Sequence, residues 1–154
     1  MTPLGALEAS ALGQAIRDWF PVVKAVHLSG VALLLGSILV VDLRLLGVAF
    51  QQQRVGDVAR VAQPWFVWSL AAMLLTGFVL FLSLAASKYY VHDYFWVKMY
   101  FLAGAMLFSA LIRHRVIMGD DARANSALGK VVALVSIFLW SGVGFAGKAI
   151  GYIS

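Results

Sequence analysis

His27, Lys98 and Lys148 are ionisable side chains that lie within long apolar stretches of the sequence, where a charge is hard to accommodate. An ionisable group inside a bilayer costs several kcal/mol unless it is paired, reaches the interface, or lines a polar cavity. We therefore treat these residues as candidates for ligand binding. Two alternatives stay open: a neutral histidine packed inside a helix bundle, and lysines whose long stems carry their ammonium groups to the membrane surface.

The spacing of charged residues places His27 and Lys98 at one depth. His27 precedes Asp42 by 15 residues, and Lys98 precedes Arg113 by 15 residues. The two helices are parallel, and each rises about 1.5 Å per residue. If Asp42 and Arg113 lie at the same depth in the membrane, His27 and Lys98 therefore also lie at the same depth. The sequence therefore predicts that His27 and Lys98 face one site, and that Asp42 and Arg113 form an ion pair near the opposite end.

Small and aromatic residues accompany these basic groups. Gly30 shares a helix face with His27, Lys148 follows a glycine-rich stretch, and Trp96 and Trp140 flank the apolar segments. Small residues let a neighbouring helix or a flat ligand come close. The pattern predicts a site for a planar, anionic ligand with an apolar body.

Haem b fits that description, with His27 as iron ligand and Lys98 as a second ligand or a partner for a propionate. Gly30, Trp96 and Lys148 complete the predicted cofactor site. His92, in the preceding link, is a further candidate for the second ligand. A quinone or another porphyrin would use much the same features.

The elements that carry these residues are four apolar segments in a chain of 154 residues that is 62% hydrophobic and 12% charged. About 20 residues of helix span the hydrocarbon core. We predict an all-α, polytopic four-helix bundle in a single domain, with crossings at about 20–46, 64–87, 94–114 and 131–153 and a short interfacial helix before them. Pro21 and Pro64 are expected to open the first two crossings.

Composition excludes several classes of site and partner. The sequence has no cysteine, which excludes disulfides, thiolate metal sites and iron–sulfur clusters. The net charge of +5 is carried by residues at the ends of the apolar segments and not along one stripe, so nucleic acid is not an expected partner.

The sequence resembles the HemJ-type protoporphyrinogen oxidases and the related CopD-like membrane domains at a few positions. Lys24, Ala25 and His27 match the start of their first helix, Arg44 its end, and Trp96 with Lys98 their third helix. The resemblance implies a haem-b protein with His27, and Lys98 beside it, at or near the iron.

Two elements of the oxidases are missing: the Asn-Glu-x-Pro element of their fourth helix and the His that follows the Lys in their third. The resemblance therefore does not extend to porphyrinogen oxidation. Over its whole length the chain resembles a family of small, uncharacterised four-helix bacterial membrane proteins, in which DLRLLG ends the first helix.

Two functions from different classes follow. One is a membrane redox protein with a single haem, either an electron carrier or a small oxidoreductase. The other is a non-catalytic membrane subunit or anchor that binds a membrane protein partner or a second copy of itself through its glycine-rich helices.

Orientation is predicted from lysine and arginine, which accumulate on the cytoplasmic side of a membrane protein. The segments after the first and third crossings, with the adjoining helix ends, carry seven of these residues, and the remainder of the chain carries five. No removable signal peptide is expected. We predict a multi-pass protein of the bacterial cytoplasmic membrane with both termini in the periplasm.

This orientation is tested by reporter fusions after Ser154 and, as the matched control, after Gln52 in the first loop. A reporter active only in the cytoplasm should be silent after Ser154 and active after Gln52. The opposite pattern would reverse the orientation and place His27 on the cytoplasmic side.

Overall fold

The computed structural model describes residue 6 and residues 9–84 and 93–152, and the described part of the chain is helical without strands. A short helix, α1 (Ala11–Asp18), precedes the long α2 (Phe20–Leu46) and α3 (Val55–Leu84). The third long element consists of α4 (Asp93–Phe108), a π-helix (Ser109–Arg113) and α5 (His114–Ile117). A single turn, α6 (Asp121–Ala124), leads to α7 (Ala127–Tyr152).

Four of these elements are long and apolar enough to cross a bilayer, which confirms the predicted four-helix membrane architecture. Their membrane-compatible spans are Phe20–Leu46, Val55–Leu82, Asp93–Ile117 and Ala127–Ala149, with mean hydropathies between 1.7 and 2.1. A helix satisfies its backbone hydrogen bonds internally, so lipid-facing side chains can be apolar without leaving polar backbone groups exposed. We refer to these spans as the first to fourth membrane helices.

The first membrane helix begins and ends where the sequence predicts. Pro21 lies in its first turn, where the missing N–H would have had no helical partner. Gly47 ends it in the left-handed conformation, with φ of 74°, and its N–H donates to the carbonyl of Arg44. A residue without Cβ adopts that conformation at little cost.

The second membrane helix differs from the prediction. It begins at Val55, and Pro64 lies inside it, so the expectation that Pro64 opens this helix is wrong. Proline is tolerated inside membrane helices because neighbouring groups and local adjustments satisfy the carbonyl that it leaves free. The fourth membrane helix likewise begins earlier than expected, at Ala127.

The long helices pack in the spatial order second, first, fourth, third. The second packs along the first, the first along the fourth, and the fourth along the third, where Gly142 lies directly against the ring of Phe101. Since the second and third membrane helices share no extensive packing within the described residues, a groove runs between them. The first membrane helix forms the floor of this groove.

An ion pair between Asp42 and Arg113 fixes one end of the bundle, as predicted. The Arg113 Nε donates to the Asp42 Oδ1 at 3.0 Å, and Nη2 donates to the carbonyl of Ile38 at 3.4 Å. The Asp42 side chain is fully buried, and Ser136 of the fourth membrane helix also faces its carboxylate. Three membrane helices therefore meet at this carboxylate.

The loops at the same end are joined by arginines. The buried Arg44 donates from Nε to the carbonyl of Gln53 and from Nη1 to the Oδ1 of Asn125. Arg54 forms an exposed ion pair with Asp121 at 2.5 Å. These contacts fasten the loop after the first membrane helix to the loop before the fourth.

We predict that Asp42→Asn and Arg113→Gln each lower the free energy of unfolding by about 3 kcal/mol or more, because each leaves a buried charge without its partner. Folded yield and melting temperature in detergent provide the measurement.

The matched control is Asp57→Asn, which removes an exposed pair with Arg60 at 3.7 Å and should change stability by less than about 1 kcal/mol. If Asp42→Asn is as mild as Asp57→Asn, the buried pair does not hold the bundle together.

Candidate functional site

A cavity of about 380 Å³ lies at the end of the bundle opposite the Asp42–Arg113 pair. We name it the His27 cavity. Its walls come from the first three membrane helices, with Gly147 contributed by the fourth. Four phenylalanines line it, Phe20, Phe78, Phe81 and Phe95. Its volume lies in the range of small-molecule sites, about 300–1,000 Å³.

A hydrogen bond to Thr76 orients the ring of His27. Its Nδ1 lies 2.9 Å from the Oγ1 of Thr76. When the Thr76 hydroxyl donates to the carbonyl of Ala72, which lies 2.6 Å away, its oxygen can accept the N–H of His27 Nδ1. In that tautomer Nε2 carries the lone pair that a neutral imidazole offers to a metal or a proton donor.

Gly77 provides the space that the imidazole occupies. A Cβ at this position would lie 3.1 Å from His27 Cε1 and 3.6 Å from Nδ1. The first distance is shorter than comfortable van der Waals contact. Thr76 and Gly77 of the second membrane helix thus act together on His27: the threonine orients the ring, and the glycine leaves space for it.

Lys98 enters the same cavity from the third membrane helix. Its stem passes Gly147, where an added Cβ would lie 3.7 Å from both Cδ and Cε. Lys98 and His27 thus line the same cavity. Lys24 lies at the margin, exposed, with its ammonium 5.9 Å from the centroid of the Phe20 ring.

The electrostatic character of the His27 cavity is basic. Lys24, His27 and Lys98 line it, and none of the described lining residues is an aspartate or a glutamate. An ammonium group in an apolar surrounding is stable when an anion compensates it. The cavity is therefore complementary to a ligand that combines an apolar body with negative charge.

The cavity opens towards lipid. Leu28 and Phe78 line it and are 57% and 62% exposed on the outside of the bundle. Phe81 and Phe95 stack across the groove, with ring centroids 5.4 Å apart, and join the second membrane helix to the third. A ligand of this cavity would enter from the bilayer through the gap between these two helices.

The structure brings His27 and Lys98 together, as the depth argument predicts, but does not bring Gly30, Trp96 or Lys148 into the cavity. Gly30 instead packs on the second membrane helix, where a Cβ would lie 3.6 Å from the Ser69 carbonyl oxygen and from the Met73 nitrogen. The structure therefore places Gly30 at the contact between the first and second membrane helices and outside the His27 cavity.

The other flanking residues also lie outside the lining of this cavity. Lys148 is exposed, because successive residues of a helix point about 100° apart and Gly147 is the residue that faces Lys98. Trp96 is 40% exposed with its ring edge against Phe95, and Trp140 is buried in the centre of the bundle, where its Nε1 donates to the Oγ of Ser109. His92 lies outside the described residues.

The sequence argument missed Thr76, Gly77 and Gly147. Thr76 and Gly77 could have been identified as a threonine followed by a glycine within an otherwise apolar segment. In an antiparallel second helix, these two residues lie at the same depth as His27. Within the described part of the chain, no group of three or more histidine, cysteine or acidic side chains is placed to hold a metal ion. Metal binding here would rest on His27 Nε2.

Comparison with protein families gives a match over residues 11–153 to a family of unknown function, DUF6644. The chain belongs to this family. No curated protein and no solved structure matches the chain. The DUF6644 match spans all four membrane helices and links the chain neither to HemJ-type oxidases nor to CopD-like domains.

We predict that Gly77→Ala lowers the melting temperature in detergent relative to Gly36→Ala, by an amount corresponding to about 1 kcal/mol or more. Each substitution gains about the same helix propensity, but the new methyl at position 77 must displace the His27 ring, whereas nothing lies within 4 Å of the corresponding position at Gly36. Equal shifts in the two variants would show that the imidazole does not occupy this place.

Proposed function

We propose that this DUF6644 protein binds one haem b in the His27 cavity, with His27 as an axial iron ligand, and serves membrane redox chemistry or electron transfer. The observation that carries the proposal is the state of His27. Its Nδ1 lies 2.9 Å from the Thr76 hydroxyl, and the residue lines a basic cavity inside the membrane span.

The Thr76 contact is the kind that metal-binding histidines require. A histidine that ligates a metal almost always donates its second ring N–H to an oxygen, which fixes the tautomer and the ring plane. Here that oxygen comes from a hydroxyl that is itself anchored to its own helix. The donor set therefore fits one axial histidine, the ligand that holds iron in many haem proteins.

Lys98 is suited to bind a propionate carboxylate of haem b. It is half-buried inside the membrane span, and no acidic residue lies among the described residues of the cavity. A propionate would supply the missing negative charge, and Lys24 at the margin offers a second ammonium group. Lys98 as a second iron ligand is the alternative role, which its neutral amine would permit.

When bound, haem b would supply one-electron chemistry; the protein would supply binding and orientation. His27 would hold the iron, and the four phenylalanines of the lining would supply apolar contacts to the group. Lys98 would retain its proton beside a carboxylate. We further place this site in the cytoplasmic membrane of a bacterium, with the His27 cavity near the periplasmic surface.

We predict that His27→Ala abolishes haem retention while the protein still inserts into the membrane. Lys98→Met should weaken retention or shift the Soret band without abolishing it, because it removes a charge partner or second ligand and leaves His27 in place. Absorption spectra of the purified variants, each normalised to protein, provide the measurement.

Lys148→Met is the matched control, since Lys148 lies at similar depth but outside the cavity, and it should leave the spectrum unchanged. An unaltered Soret band in His27→Ala would show that His27 is not the ligand. A wild-type protein that remains colourless when made with ample haem would favour the membrane subunit or anchor over the redox protein.

A further inference from the structure

A second cavity, of about 270 Å³, lies in the same groove at the end of the bundle that contains the Asp42–Arg113 pair. We name it the Arg113 cavity. The second and third membrane helices form its sides, and Ser37 and Val41 of the first form its floor. Phe66, Leu70 and Met106 make much of its wall apolar. It shares no lining residue with the His27 cavity.

Arg113, Ser109 and Gln63 present donor hydrogens to this cavity, whose lining also contains His114 and Ser37. The Ser37 hydroxyl donates to the carbonyl of Leu34. Arg113 uses Nε and Nη2 within the bundle, which leaves Nη1 without a bond to a described residue. The Ser109 Oγ accepts from Trp140, and its own hydrogen is not used by a described residue. The carboxamide of Gln63 is exposed, and its N–H groups likewise bond to no described residue.

The charge of the Arg113 cavity differs from that of the His27 cavity. The positive charge of Arg113 is already compensated by Asp42 at 3.0 Å. An anionic ligand would have to compete with a fully buried carboxylate for this guanidinium. The cavity is therefore complementary to a neutral ligand whose polar atoms accept hydrogen bonds.

Its depth and its backbone geometry point to a ligand that arrives through the membrane. Gln63 and Arg113 both lie inside membrane-compatible spans, and the exposed Gln63 and Met106 form part of the cavity edge. The π-helix Ser109–Arg113 carries Ser109, Ala110 and Arg113 on the lining. Single π turns inside α-helices occur frequently at functional sites.

We propose that the Arg113 cavity binds the headgroup of a membrane quinone, whose carbonyl oxygens accept from Ser109, Gln63 and Arg113 Nη1. A quinone is neutral, flat and apolar apart from its carbonyls, and it travels within the bilayer. These properties match the apolar wall, the unused donors and the compensated charge. The site is separate from the haem proposal, and binding can be measured whether or not haem is present.

The test is calorimetric titration of the purified full-length protein in detergent with decylubiquinone. Saturable binding is expected. Gln63→Ala and Ser109→Ala should each raise Kd by roughly two- to tenfold, as the loss of one hydrogen bond predicts. Phe78→Ala, in the wall of the His27 cavity, should leave Kd unchanged. Gln63→Ala keeps the test valid if Ser109→Ala disturbs folding through Trp140.

Decylbenzene, which has a flat six-membered ring and the same tail but no oxygen atom, is the control ligand and should bind at least tenfold more weakly. Comparable binding of decylbenzene would contradict the proposal and show a general lipid groove. Absence of saturable decylubiquinone binding would also overturn it. A Kd that responds to Phe78→Ala and not to Gln63→Ala would place the quinone in the His27 cavity instead.

Discussion

A charge inside the bilayer must have a partner of opposite sign or a polar surrounding, and this constraint organises the whole molecule. The chain meets it in two ways. At one end Asp42 and Arg113 compensate each other and join the first and third membrane helices. At the other end His27 and Lys98 face one cavity in which no described lining residue is acidic. The paired end has a structural explanation, and the basic end is complementary to an anionic ligand.

The two cavities occupy one groove because of the packing order of the helices. The first membrane helix contacts both the second and the fourth, while the second and third diverge. That divergence creates space along the face where Lys98 and Arg113 project. The groove therefore has a basic cavity at one end and a charge-compensated cavity at the other, and the two differ in the ligand chemistry they accept.

Much of the fold could be predicted from the sequence, as could the placement of His27 and Lys98 in one cavity. Helix length and axial depth depend only on residue count and rise. The Asp42–Arg113 pair followed from the same arithmetic. Rotation of each helix about its axis could not be predicted in this way. It decides that Gly30 faces the second membrane helix, that Gly147 and not Lys148 faces Lys98, and that Thr76 reaches His27. These choices depend on packing between helices distant in sequence.

The central claim is that the His27 cavity holds one haem b, and the haem content of the purified wild-type protein tests it most directly. The protein is produced with ample haem and purified in mild detergent, and the haem is then quantified as its pyridine complex against protein concentration. We predict about one haem b per chain, the number that a single axial histidine in one cavity can hold. A preparation that is folded, inserted in the membrane and free of haem would contradict the account.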